Sequence, residues 1–209
     1  MPALDPAWLV DGPDGNATIV LCHGAGAPMD SPFLATMARG LAGRGLRVVR
    51  FELPYMRARR ERGERKPPDR PAVLEQAWRE VIAALGGGGE VVIGGKSLGG
   101  RIASMVADEC GARGLVCLGY PFHPPDSPER LRTAHLRELR TPALVVQGTR
   151  DPFGSPEEIA GYELSPAIRF LFLADGDHSF KPRKSSGRSE KQNLEEAIAA
   201  IAEFVAELP

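Results

Sequence analysis

Val91-Val92-Ile93-Gly94-Gly95-Lys96-Ser97-Leu98-Gly99-Gly100-Arg101-Ile102-Ala103-Ser104-Met105-Val106 reads as a strand, a sharp turn and a helix. The apolar run Val91–Ile93 has strand character, and Arg101–Val106 has helical character. Between them, Gly95-Lys96-Ser97-Leu98-Gly99 matches G-x-S-x-G. A strand-to-helix turn that lifts a serine oxygen into the open brings two backbones past each other. Glycines at Gly95 and Gly99 remove the Cβ clashes this would cause, and Gly100 adds room. The same residues carry a decoy, since Gly95-Lys96-Ser97 is also the tail of the phosphate-binding loop G-x-x-x-x-G-K-[ST]. That loop needs glycine at position 90, which is Glu90, and it needs a loop where Val91–Ile93 supplies a strand.

Outward from this turn, short apolar runs recur: Ala17–Cys22, Arg47–Phe51, Leu115–Leu118, Ala143–Val146 and Phe170–Leu173. Continuous apolar runs fit strands covered on both faces, as in a parallel sheet. Helical patterns fill the gaps at 33–43 and 72–85, and Leu194, Ala197, Ile198 and Ile201 form one apolar stripe of a last helix. The alternation predicts an α/β fold, a doubly wound and mainly parallel sheet of about six strands, in one domain over residues 1–209. Residues 56–71 and 181–191 read as polar insertions and the most mobile segments.

Chemistry in such sheets gathers at the carboxyl ends of the strands. Three of those ends carry Ser97, Asp151 and His178, in that order. A serine hydroxyl becomes a nucleophile when a neighbouring base takes its proton, and a carboxylate can orient that base. His178 follows the last apolar run and is the expected base; His123, also at a strand end, is the runner-up, and His135 is expected to be structural. Asp151 is the expected acid, with Asp126, Asp175 and Asp177 as competitors. His23-Gly24-Ala25-Gly26 supplies small residues after a strand, so that the N–H of Ala25 can face a developing oxyanion together with that of Leu98. Gly24, Gly26, Tyr120, His123 and His23 are expected to surround the substrate, His23 by fixing its loop.

Composition bounds the rest. The chain of 209 residues has 43% hydrophobic and 25% charged residues, as folded soluble proteins do. No apolar run approaches the roughly 20 residues of a membrane span, and the first residues lack a signal-peptide pattern. Three cysteines without C-x-x-C spacing predict a reduced, cytoplasmic setting and no zinc site. Net charge is −1, yet residues 57–70 carry seven Arg/Lys against three Asp/Glu, and 181–191 carry five against one. Both segments are expected to leave the edge that holds Ser97, where two readings stand: arginines that solubilise two loops, or a field that favours an anionic substrate or partner. They lack interleaved aromatics, which argues against nucleic acid.

The chain resembles an α/β hydrolase over nearly its whole length. His23–Ala27, Phe51–Met56, Gly94–Gly100, Gly119–Pro125, Gln147–Gly154 and Asp177–Lys181 are similar to a narrower group. That group is named after a testis-expressed protein and a subunit of the non-specific-lethal chromatin complex, with bacterial relatives akin to dienelactone hydrolases. The resemblance implies Ser97, Asp151 and His178 as triad and brings no substrate. Little chain precedes residue 17 for the usual antiparallel first strands, and no insertion after 118–124 is long enough for a lid, so an open, shallow site is implied. The expected activity is hydrolysis of a small ester or thioester through an acyl-enzyme, without cofactor or metal. The rival reading is a catalytically silent scaffold on the same fold.

Overall fold

β1 (Leu9–Asp11), β2 (Thr18–Cys22), β3 (Arg47–Phe51), β4 (Val91–Lys96), β5 (Gly114–Leu118), β6 (Ala143–Gly148) and β7 (Ile168–Leu173) pair into one sheet. Their order is β1-β3-β2-β4-β5-β6-β7. The computed structural model describes residues 5, 7–63 and 65–209; Met1–Leu4 of the segment without signal-peptide character, Pro6, and Glu64 of the first basic segment lie outside them. All pairings are parallel except that of β1, which runs antiparallel to β3.

Period-two alternation divides the strands between two cores. Val20 and Ile93 face one side with Trp78 and Ile102. Ile19 and Val92 face the other with Leu34 and Ile201. Accordingly α3 (Pro71–Ala84) and α4 (Leu98–Val106) pack on each other over the first face, and α1 (Pro32–Ala42) and α6 (Glu190–Glu207) over the second. Proline sits in the first turn of α1 and α3, where its missing N–H costs nothing. α6 begins with a capping box, Ser189 and Gln192 each accepting the other's backbone N–H.

Two expectations change. The sheet has seven strands, because Leu9–Asp11 adds a short antiparallel edge strand. Its three residues are too few for a periodic signal, and it is held partly by Asp11 pairing with the buried Arg50 at 2.8 Å. The polar stretch from 56 also begins inside a helix, α2 (Pro54–Arg62), closed by Gly63 at φ 70°. Tyr55, Met56 and Ala58 bury its inner side, while the arginines of its outer side hide that pattern in the sequence. α5 (Pro156–Ile159) is a single turn.

Candidate active site

The turn after β4 is strained as its sequence predicts. Ser97 has φ 50° and ψ −112°, outside the regions open to L-residues. A Cβ on Gly95 would lie 2.2 Å from the Cys22 carbonyl oxygen, and one on Gly99 would lie 2.6 Å from that of His23. Backbone meets backbone at both points, so neither position accepts a side chain. The turn delivers Ser97 to a cleft of about 470 Å³ at the carboxyl edge of the sheet, lined among others by Gly24, Ala25, Gly26, Phe33, Lys96 and His178.

His178 and Asp151 meet across the ends of β7 and β6. His178 Nδ1 lies 2.8 Å from Asp151 Oδ2, and Asp151 is sealed from solvent. Three further contacts fix this pair. Gln147 Nε2 donates to the same Oδ2 at 3.0 Å. Phe153 N–H donates to Oδ1 at 2.9 Å. The Phe153 ring lies against the imidazole, with centroids 4.3 Å apart. With Nδ1 donating to a carboxylate, Nε2 is left as the acceptor. Among the described residues Ser97 Oγ makes no hydrogen bond, so serine and imidazole share the cleft without a closed contact, as unliganded sites often do.

The N–H groups of Ala25 and Leu98 donate to nothing among the described residues. Leu98 opens α4, where first-turn donors lack helical partners. The Ala25 loop is held from behind: Tyr55 Oη donates to the Ala25 carbonyl at 3.0 Å.

The remaining histidines are structural in geometry. His23 is fully buried; its Nδ1 lies 2.7 Å from the Gly24 carbonyl, and its Nε2 accepts Leu53 N–H at 3.1 Å. One nitrogen donates and the other accepts, so the ring is neutral, and burial lowers its pKa. His123 is buried against the Pro124 carbonyl, with Nε2 3.4 Å from Glu158 Oε1 and out of hydrogen-bond alignment. His135 Nε2 lies 2.8 Å from Ser104 Oγ, a second serine–histidine contact. Ser104 gives its proton to the Arg101 carbonyl at 2.6 Å, so it accepts from the imidazole and is not activated by it. A cavity of about 540 Å³ beside this contact includes neither Ser97 nor His178 in its lining.

Of the five residues expected around a substrate, Gly24 and Gly26 line the cleft. Tyr120 is buried, with its N–H on Gln147 Oε1 and its hydroxyl donating to the Arg132 carbonyl. It, His123 and His23 hold the surrounding loops and do not line the cleft. Asp126 is exposed; Asp175 pairs with Arg183 and Arg150, and Asp177 Oδ1 accepts the N–H groups of Ser179 and Lys181. Sequence reasoning missed Gln147 and Asn193. Asn193 Nδ2 donates to the carbonyls of Ala174 and Phe180, pinning the His178 loop to α6. A lone amide in an otherwise apolar run was the available signal for Gln147; Asn193 stands among polar residues, and its signal was its place four residues before Ala197 on the buried stripe of α6.

The basic segments are less bare than their sequence implies. Arg57 pairs with Asp5, Arg60 with Asp30 and Glu52, and Arg188 with Glu196. These carboxylates lie outside the two segments and offset much of the expected field. Among the described residues no cluster of three His, Cys, Asp or Glu side chains could hold a metal ion, and no helix is long and apolar enough to cross a membrane.

A mostly parallel sheet with a strained serine after its fourth strand defines an α/β hydrolase, and residues 15–206 match the family described as an alpha/beta hydrolase domain. The chain belongs to that family. Solved structures agree in fold. A dienelactone hydrolase from Anabaena variabilis aligns with TM-score 0.67 and 22% identity, covering 96% of this chain and 91% of that one. A serine hydrolase without a lid from Xanthomonas campestris gives 0.65 and 18%, covering 98% and 92%. An α/β hydrolase enzyme from a lagoon-sediment metagenome of Mar Chica, Morocco, gives 0.71 and 18%, covering 96% and 94%.

Proposed function

We propose that the protein is a serine hydrolase that cleaves a small ester or thioester through an acyl-enzyme. The observation that carries this is one cleft holding a conformationally strained Ser97 and a His178 whose Nδ1 is engaged by buried Asp151. Ser97 Oγ attacks the carbonyl carbon while His178 Nε2 takes its proton. Asp151 holds the tautomer and stabilises the imidazolium. The oxyanion is met by the N–H groups of Ala25 and Leu98. Collapse expels the alcohol or thiol, which leaves with the proton from His178. Water, deprotonated by His178, then attacks the acyl-enzyme, and Ser97 recovers its proton.

The open cleft and the resemblance to bacterial relatives of dienelactone hydrolases support a small substrate. A fluorophosphonate probe tests the reading: wild-type protein labels at Ser97, while Ser97→Ala and His178→Ala do not. Absence of wild-type labelling would favour the scaffold reading. Esterase activity lost in His123→Ala and kept in His178→Ala would move the base to His123.

A further inference from the structure

Lys96 ends β4 and stands in the wall of the Ser97 cleft. Alternation along β4 sends its side chain to the face of Val92, the one covered by α1 and α6. A Cβ on Gly24 would lie 3.5 Å from Lys96 Cγ and 3.7 Å from Ser97 Cβ, so the lysine stem and the proposed nucleophile border the same glycine. Lys96 is 9% exposed, and its Nζ is buried with no hydrogen-bond partner. Taking an ammonium out of water without giving it an acceptor is costly, and such a group calls for an explanation.

From α1, the Phe33 ring lies against the amine, its centroid 5.7 Å from Nζ. A Cβ on Gly119 would lie 2.8 Å from Nζ and 3.2 Å from His178 Nδ1, which puts amine and imidazole side by side. The carboxylates whose charge reaches Nζ are Asp151 and Asp177, after β6 and β7. Neither pairs with it among the described residues. Asp151 is occupied by His178, Gln147 and the Phe153 N–H, and Asp177 Oδ1 by backbone N–H groups of its own loop. Burial outweighs the pull of both and lowers the lysine pKa to about 8, so the amine still carries its charge at neutral pH. The cleft is otherwise lined by glycine, alanine, serine, proline, phenylalanine, leucine and His178. Among the described residues that line it, Lys96 alone brings a lasting charge.

We propose that Lys96 is the anion anchor of this cleft, and that the ester or thioester cleaved at Ser97 carries a carboxylate which the Lys96 ammonium binds. The inference rests on the reading of Ser97 as the nucleophile. Cγ lies beside Ser97 while Nζ rests against Phe33 and Gly119, and the flexible stem between them lets the ammonium turn from that place to an anion in the cleft. A carboxylate supplies the acceptor that the amine lacks, in a charge-assisted hydrogen bond. The substrate class is therefore a half-ester or half-thioester of a short dicarboxylic acid, or an ester whose alcohol part holds the carboxylate. Both offer Lys96 the same group.

The test compares kcat/KM for two pairs of aryl esters in the full chain. One pair carries a carboxylate or its neutral carboxamide at the end of a short acyl chain, the other on the aryl ring of an acetate ester. Salt at physiological strength, with a Debye length of about 8 Å, screens the exposed arginine segments. Wild type should prefer the carboxylate of at least one pair by about 10- to 100-fold, the worth of one hydrogen bond between charged groups, and that pair locates the anion on the acyl or the alcohol side. In Lys96→Met and Lys96→Gln the ratio should fall to about 1. No preference in wild type overturns the proposal. So does a preference kept in the variants, including one kept while both rates fall together, which would assign Lys96 to balancing the Asp151 charge. A binding measurement avoids both turnover and Lys96 substitution. In Ser97→Ala protein with 13C-labelled lysine, the Lys96 side-chain signal should move with a carboxylate ester of at least one pair and stay with its carboxamide; equal responses overturn the proposal. A wild type that no fluorophosphonate labels would remove the hydrolase reading alone, and an active enzyme indifferent to the carboxylate would remove the Lys96 role alone.

Discussion

Replacing Ser97 by glycine should make the protein more stable. The Ser97 angles, φ 50° and ψ −112°, fall near the first central position of a type II′ turn, a place that glycine dominates. A non-glycine residue held in such a region costs roughly 1–3 kcal/mol. Glycine relieves that strain but adds about 0.5–1 kcal/mol of backbone freedom to the unfolded chain. The difference leaves Ser97→Gly more stable by about 1 kcal/mol, worth ~2–4 °C in Tm for a chain of this size. Ser97→Ala keeps a Cβ and hence the strain, so it isolates the backbone contribution from the loss of the hydroxyl. The assay is urea unfolding of wild type and both variants, followed by circular dichroism, with m-values compared to check that the transition is unchanged. A glycine variant no more stable than the alanine variant would refute the claim that this turn stores strain.

Other consequences can be measured directly. Gln147→Leu should cost roughly 1–3 kcal/mol in unfolding free energy, because it strands the buried Tyr120 N–H and loosens Asp151, and kcat should fall with KM little changed. A thiol reagent should modify Cys110 in native protein and all three cysteines only after denaturation, since Cys22 and Cys117 are buried and burial pushes their thiols up; fast native modification of either would contradict their place in the strands. Burial and Arg101 lower the His135 pKa from 6.5 to about 4, so the unfolded chain binds the extra proton within that window. Stability should fall as pH drops from about 6.5 towards 4, and His135→Gln should flatten that part of a Tm–pH curve.

What the sequence disclosed was whatever a few adjacent residues determine. The apolar runs at 17–22, 47–51 and 143–146 state their own burial, and Gly95 and Gly99 state the close backbone approach that the structure measures. The His178–Asp151 contact could be inferred because parallel topology brings successive strand ends to one edge. The glycines at Gly24 and Gly26 reach the cleft for the same reason. Tyr120 and His123 show the limit of that rule: a residue at a strand end can turn inward and hold a loop. Whether Gln147 points at Asp151 depends on how the turn after β6 folds back towards its own strand, and no local pattern carries that information. α2 escaped notice because its apolar contacts are few and its outer side is arginine. The arginine partners were hidden for a different reason: Asp30, Glu52 and Asp5 come from other parts of the chain.

The Asn193 amide makes α6 part of the machinery that holds His178, although the helix packs on the far face of the sheet. During synthesis the serine turn is translated about a hundred residues before that helix is complete. Domains generally fold as units, so for about half of its synthesis a nascent chain carries the proposed nucleophile without the clamp that orders His178. Competence would then arrive with the docking of α6, and proteolytic loss of that helix should silence the site while leaving Ser97 itself intact.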